Sequence, residues 1–262
     1  MYSMAMEGKR VWFPILSRAD HTRPAGGVND SWWVRTESCA KANSDVSPYL
    51  IPNEWIAGRI AQFLCLPVPP FALVKTSGGR GMFASLKFTA ADAPPPDTNP
   101  TVLCRDMAIQ ATGILIFDVL IANCDRHRGN LSVDDPDKPT RIRIFDHDRA
   151  LLGFFPGEGI QRLKEMQTRL GISAGSVSGG NRHILLDAIT TTEHFWEWIG
   201  RIKRLPDWYI DDACRYCIGA GVTKRESTET AQFLKDRRDT IDDILIRNSA
   251  EFVGVTKRGL FF

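Results

Sequence analysis

At 262 residues, with 43% hydrophobic and 24% charged side chains, the chain suits one large domain or two lobes and has the make-up of a soluble globular protein. A net charge of +2 is by itself no argument for nucleic acid or a membrane surface as partner, and no apolar run is long enough to span a bilayer. The N-terminus lacks the apolar stretch of a signal peptide, and six scattered cysteines suit a reduced, cytoplasmic protein better than a disulfide scaffold.

A first strand is predicted over 11–16, a turn at Ala25-Gly26-Gly27-Val28-Asn29-Asp30, and a second strand over 31–36. A helix is predicted over 52–64, because Trp55, Ile56, Ile60, Phe63 and Leu64 recur at three- and four-residue steps. Leu66-Pro67-Val68-Pro69-Pro70 stops it, since proline cannot continue a helix. Segments 71–75 and 82–88 flank the turn Ser77-Gly78-Gly79-Arg80-Gly81 and read as a hairpin. The stretch 90–100, with Pro94-Pro95-Pro96, is the clearest linker, so the boundary is placed there, with 1–98 before it and 99–262 after it.

Asn99 followed by Pro100 is a helix start, a cap and then a proline in the first turn. A single helix is expected from about 102 to about 122, apolar on a broad face and therefore buried. It runs straight into Asn123-Cys124-Asp125-Arg126-His127-Arg128-Gly129-Asn130. A short strand over 131–133, a turn over 134–139 and a return strand over 141–145 then deliver Asp146 and His147 beside the loop the chain has just left. That order fits phosphoryl transfer. The Asp125 carboxylate can take the proton of an attacking hydroxyl, the Asn130 amide oxygen can hold a metal, and Asp146 supplies a second hard oxygen ligand. Asp125 and Asn130 meet the Asp-x-x-x-x-Asn spacing of a catalytic loop. Gly129 lets that loop turn tightly.

Beyond Asp146, helices are expected over 158–170, 182–190, 193–204, 208–219 and 226–249, with a connector at 171–180. Cys214-x-x-Cys217 lacks the partner pair that a zinc site would need.

The loop Asp125-Arg126-His127-x-Gly129-Asn130 with Phe145-Asp146-His147 resembles the active site of HipA-like kinases, and the loop is also similar to the Asp-Arg-His-x-x-Asn loop of phosphoinositide kinases. Both belong to the wider protein-kinase-like superfamily. The resemblance implies an α+β, two-lobed protein-kinase-like fold, with a small β-rich N-lobe carrying one helix and a larger, mostly helical C-lobe. It implies ATP and Mg²⁺ as cofactors, Asp125, Asn130 and Asp146 as catalytic residues, and Asn130 and Asp146 as metal ligands. The turn at Gly26 and Gly27 would cover phosphates. A phosphate-binding lysine is expected on the second strand, where Arg35 stands instead, with Lys41 as the substitute if the strand runs longer. Glu54 would pair with that cation.

The acceptor implied by HipA-like kinases is a protein serine or threonine; phosphoinositide kinases would imply an inositol lipid. A protein partner is preferred, because no basic amphipathic helix stands out for a membrane. Arg35 in the lysine position also raises a second reading, a pseudokinase or nucleotide-binding module. His147-Asp148 raises a third, an HD-type phosphohydrolase with His127, His183 and His194 as further ligands. The sequence sets no oligomeric state.

Overall fold

A computed structural model describes residues 15–18, 34–88, 98–172 and 182–255, with side chains described from residue 36 onward. The turn at Gly26 and Gly27, the side chain of Arg35, most of the linker at 90–100, and most of the 171–180 connector lie outside the described residues.

The described residues form a mixed α/β structure with three small antiparallel sheets. Strands β1 (Ile15–Arg18) and β2 (Val34–Thr36) form a two-stranded ribbon with an irregular register at Ile15 and Ser17. One residue later the chain enters β3 (Ser38–Lys41), a strand the sequence does not announce. With β4 (Phe71–Lys75) and β5 (Gly81–Leu86) it forms a three-stranded sheet in the order β3-β5-β4. Phe83 of the central strand stands opposite both Lys41 and Leu73.

Helix α1 (Leu50–Phe63) follows the predicted pattern and buries Ile51, Trp55, Ile56 and Ile60. The proline run ends it as expected, with Cys65 at φ +56 where the chain turns. Asn99 caps α2 (Pro100–Asp106), its side chain accepting the backbone N–H groups of Thr101 and Val102. The single helix expected here is two. Met107 leaves helical geometry (φ −130, ψ 43), and α3 (Ala108–Leu120) starts anew. Its residues Ile114, Leu115, Ile116, Phe117 and Leu120 are fully buried, so α3 is the central element of the core.

Strands β6 (Leu131–Val133) and β7 (Ile142–Ile144) pair as predicted, Leu131 opposite Ile144. Asp134 holds the turn closed by accepting the N–H groups of Thr140 and Arg141, and inside it Asp135 accepts the N–H of Asp137 two residues on, an Asx turn.

Then come α4 (Gly159–Met166), α5 (Phe195–Lys203), α6 (Asp207–Arg215), α7 (Lys224–Asp239) and α8 (Ile241–Arg247). The helix expected over 182–190 is a run of turns instead. His183 Nδ1 accepts the N–H of Leu185, a side-chain bond that competes with helix formation. The long final helix breaks at Thr240, whose hydroxyl bonds back to the carbonyl of Asp236, a contact that bends helices. Helix α7 opens on a capping box between Thr223 and Glu226.

Arg237 of α7 is fully buried without a carboxylate contact among the described residues. Its guanidinium donates to the carbonyls of Val119, Leu120, Met166, Arg169 and Leu170, and so ties the end of α3 to the end of α4. Burial, and then the neighbouring Arg162, push its pKa down to about 9. Among the described residues no helix is long and apolar enough to cross a membrane.

Candidate active site

Lys41 closes β3, and its ammonium joins two carboxylates from distant parts of the chain. Nζ lies 2.9 Å from Glu54 Oε1 and 2.5 Å from Asp146 Oδ1. Glu54 is brought there by the first turns of α1 and is only 3% exposed. Its second oxygen accepts the backbone N–H of His147 at 3.0 Å and lies 3.4 Å from His147 Nδ1. Burial alone would raise the Glu54 pKa. The bonds from His147 and the charge on Lys41 outweigh that and hold it down at about 2. Burial likewise works against the charge on Lys41, but Glu54 and then Asp146 keep its pKa raised. Lys41 and Glu54 therefore face each other as an ion pair.

Glu54 thus holds Lys41, the substitute cation, in the place the sequence reading gives first to Arg35. A lysine six residues on reaches the site because β3 continues the chain's extended path past β2.

Asp146 has φ +60, a left-handed conformation in a residue that is not glycine. Such a backbone costs on the order of 1–3 kcal/mol and persists only where its surroundings impose it. Here they do. Arg126 Nη1 donates to the carbonyl of Phe145 on one side, and Glu54 accepts the N–H of His147 on the other.

The loop after α3 is held as firmly. Asn130 Nδ2 donates to the carbonyl of Asp125 at 2.8 Å, and lies 3.5 Å from its Oδ2. With the nitrogen bonded into the loop, the amide oxygen is the end that could serve as a metal donor. The Phe145 N–H donates to the carbonyl of Asn130 at 3.3 Å, so the hairpin sets Asp146 one residue from the loop it left. Around Asp125 stand His127 Nε2 at 3.8 Å and Arg149 Nε at 3.6 Å from Oδ2. Beneath the loop, Arg126 is fully buried. It forms a two-pronged pair with Asp118 of α3, which also bonds Asn123 and His183. Despite burial, Arg126 and His183 hold Asp118 well below the usual carboxylate range.

Asp148 is held by its backbone, its carbonyl accepting from Asn53 Nδ2 at 2.7 Å. Burial and then the Asp146 charge push its carboxyl up to about 7.

A cavity of about 300 Å³ opens against the triangle. Val68, Phe83, Leu86, Phe88 and Ile144 give it apolar walls, and Lys41, Glu54 and Asp146 give it a charged one. Gly58 of α1 also lines it, where a Cβ would meet the Phe71 ring at 2.7 Å.

The structure thus brings Asp125, Asn130, Asp146 and Glu54 into one neighbourhood. Gly26, Gly27 and the Arg35 side chain are outside the described residues. The sequence reading missed Lys41 as first choice because Ser38-Cys39-Ala40-Lys41 shows no apolar alternation. It missed the roles of Arg126 and Asp118, although Arg126 lay within the motif. The histidines of the HD reading disperse: His147 goes to Glu54, His183 to Asp118 and His127 to Asp125. Among the described residues no three His, Cys, Asp or Glu side chains are grouped to hold a metal.

No family model matches the chain, and no curated protein matches it. Its fold is similar to the crystal structure of a Helicobacter pylori proinflammatory kinase, CtkA, with a TM-score of 0.54 over 81% of this chain and 90% of that one. The two are 15% identical in sequence, so the likeness is one of fold.

Proposed function

We propose that the chain is an ATP- and Mg²⁺-dependent phosphotransferase, a protein serine/threonine kinase of the HipA-like kind. The observation that carries the proposal is the Lys41–Glu54–Asp146 triangle beside the apolar cavity. A kinase needs a lysine oriented by a helix glutamate and a carboxylate at a strand end, and these three supply both. The fold likeness to a kinase structure and the order of loop and hairpin point the same way. Lys41, paired with Glu54, supplies a cation where Arg35 motivated the pseudokinase reading, and this supports the active-kinase alternative.

In this reading residues 1–98 and 99–262 are two lobes, and the adenine ring lies between them against Val68, Leu86 and Ile144. Lys41 binds phosphate oxygens. Asp146 and the Asn130 amide oxygen form a hard, all-oxygen donor pair. That pair suits Mg²⁺, which usually takes one or two carboxylates and completes its shell with phosphate oxygens and water. Bound there, the ion would offset charge on the phosphates. Asp125 orients the acceptor hydroxyl and takes its proton as the oxygen–phosphorus bond forms and the bond to the ADP oxygen breaks. Six unpaired thiols support a reducing, cytoplasmic setting.

The test is transfer of labelled phosphate from ATP to the protein itself and to a panel of proteins. Asp125→Ala is expected to lower transfer by on the order of 10²-fold, with nucleotide binding kept. Transfer at the wild-type rate would remove Asp125 from its role. Binding without transfer by the wild-type protein would reduce the chain to a nucleotide-binding module.

A further inference from the structure

Arg126 and Arg237 head the fully buried side chains by size, and only Arg126 touches the candidate site. All three of its nitrogens donate. Nε and Nη2 donate to the two oxygens of Asp118 at 2.8 and 3.0 Å, and Nη1 donates to the carbonyls of Asn130 at 2.6 Å and Phe145 at 2.9 Å. Those carbonyls belong to the two segments that bear the candidate metal donors. Asn130 carries one donor itself, and Phe145 directly precedes the other, Asp146.

Asp118, the anchor of the fork, does not move freely. It sits on the buried helix α3 and accepts from Asn123 Nδ2 and bonds His183 Nε2, each at 2.9 Å. The His183 segment returns the contact, since the N–H of Ile184 donates to the carbonyl of Arg126 at 3.0 Å. His183 Nδ1 accepts the N–H of Leu185, so the ring hydrogen sits on Nε2 and is donated to Asp118. The guanidinium is therefore a fixed peg between the core and the two donor segments.

Stability alone is a poor reason for such a peg. A buried ion pair often adds little over an apolar replacement of the same size. Geometry is a better reason. Mg²⁺ demands near-octahedral placement of its oxygens, and groups that orient metal ligands from behind are worth much of the affinity. Lysine could not do the same, because one ammonium cannot offer a planar fork to a carboxylate and two carbonyls at once.

We propose that Arg126 is a positioning residue that sets the separation of Asn130 and Asp146, and hence the affinity of the site for a divalent ion. The proposal rests on the phosphotransfer reading. It separates metal affinity from nucleotide affinity, which a merely structural role would not do.

The experiment is calorimetric or fluorescence titration of a non-hydrolysable ATP analogue at a series of Mg²⁺ and Mn²⁺ concentrations, and in EDTA. The proteins are wild type, Arg126→Lys and the doubly neutral Asp118→Asn/Arg126→Gln. The lysine variant keeps a cation for Asp118, and the double variant leaves no buried charge unpaired, so each protects folding in a different way. Thermal melts report which of them is folded. For a folded variant, the metal concentration for half-maximal binding is expected to rise by at least about tenfold, with affinity in EDTA unchanged. Unchanged metal dependence, or an equal loss with and without metal, would overturn the proposal. A wild-type protein that binds the analogue no better with metal would bring down the phosphotransfer reading, and this assignment with it.

Discussion

Glu54 is a buried carboxylate whose charge is kept by Lys41 and His147, so its burial makes stability depend on pH. Its pKa is about 2 in the folded protein against an ordinary 4.5. A folded pKa below the unfolded one means that the contribution is complete above about 4.5 and is lost as pH falls from there to about 2. The shift corresponds to on the order of 3 kcal/mol. Chemical unfolding measured at pH 7, 4 and 3 is expected to show this loss, and Glu54→Gln is expected to flatten the acid limb. An unchanged limb in Glu54→Gln would mean that the carboxylate is not held as described. Asp146 adds a second residue-scale feature. Its left-handed backbone lies at a position the sequence marks as a metal ligand, and no local sequence rule foretells that conformation in an aspartate.

At the scale of elements, α3 and α5 meet where Gly113 faces Trp198. A Cβ at Gly113 would stand 2.2 Å from Trp198 Cε2, and the indole is fixed by a 2.7 Å bond from its Nε1 to the carbonyl of Ile109. Gly113→Ala is therefore expected to destabilise by about 1–3 kcal/mol through overpacking, despite alanine's better helix propensity. A thermal melt at or above the wild-type midpoint would show that the indole can move aside. The sequence could show α3 as a buried helix, because its apolar residues cover a broad face. It could not show the Gly113–Trp198 contact, which joins residues far apart in the chain. The same limit explains the other differences. Helix α1 and the β6-β7 hairpin were legible because local signals agree: apolar spacing with a proline stop, and two strands about an aspartate-rich turn. Strand β3 was not, since it is short and mostly exposed and is defined by its partner β5. The breaks at Met107 and Thr240 interrupt stretches whose periodicity continues across them.

Across the whole molecule, α1 and the segment leading into it are tied to elements that follow in the chain. Tyr209 Oη donates to the carbonyl of Arg59, Tyr49 Oη donates to Glu226, and Asn43 donates to the carbonyl of Ala220. Trp55 stacks on Tyr216 with ring centroids 4.8 Å apart. Asn53 reaches the carbonyls of Asp148 and Gly153, just past the candidate metal ligand Asp146. The helix that supplies Glu54 thus shares a frame with the loop that supplies Asp125 and Asn130. Tyr216→Ala removes a stacked pair worth about 0.5–1.5 kcal/mol. It is expected to weaken nucleotide binding, although Tyr216 is not among the residues lining the cavity. Binding at wild-type strength would show that the stack does not steady Glu54.

The most direct test of convergence is a crystal structure of the protein with a non-hydrolysable ATP analogue and Mg²⁺. The account predicts a magnesium ion bound by Asp146 and the Asn130 amide oxygen, a phosphate oxygen on Lys41 with Glu54 still behind it, and the adenine ring in the cavity beside Val68 and Ile144. An analogue bound elsewhere, or a metal held by neither Asn130 nor Asp146, would contradict it.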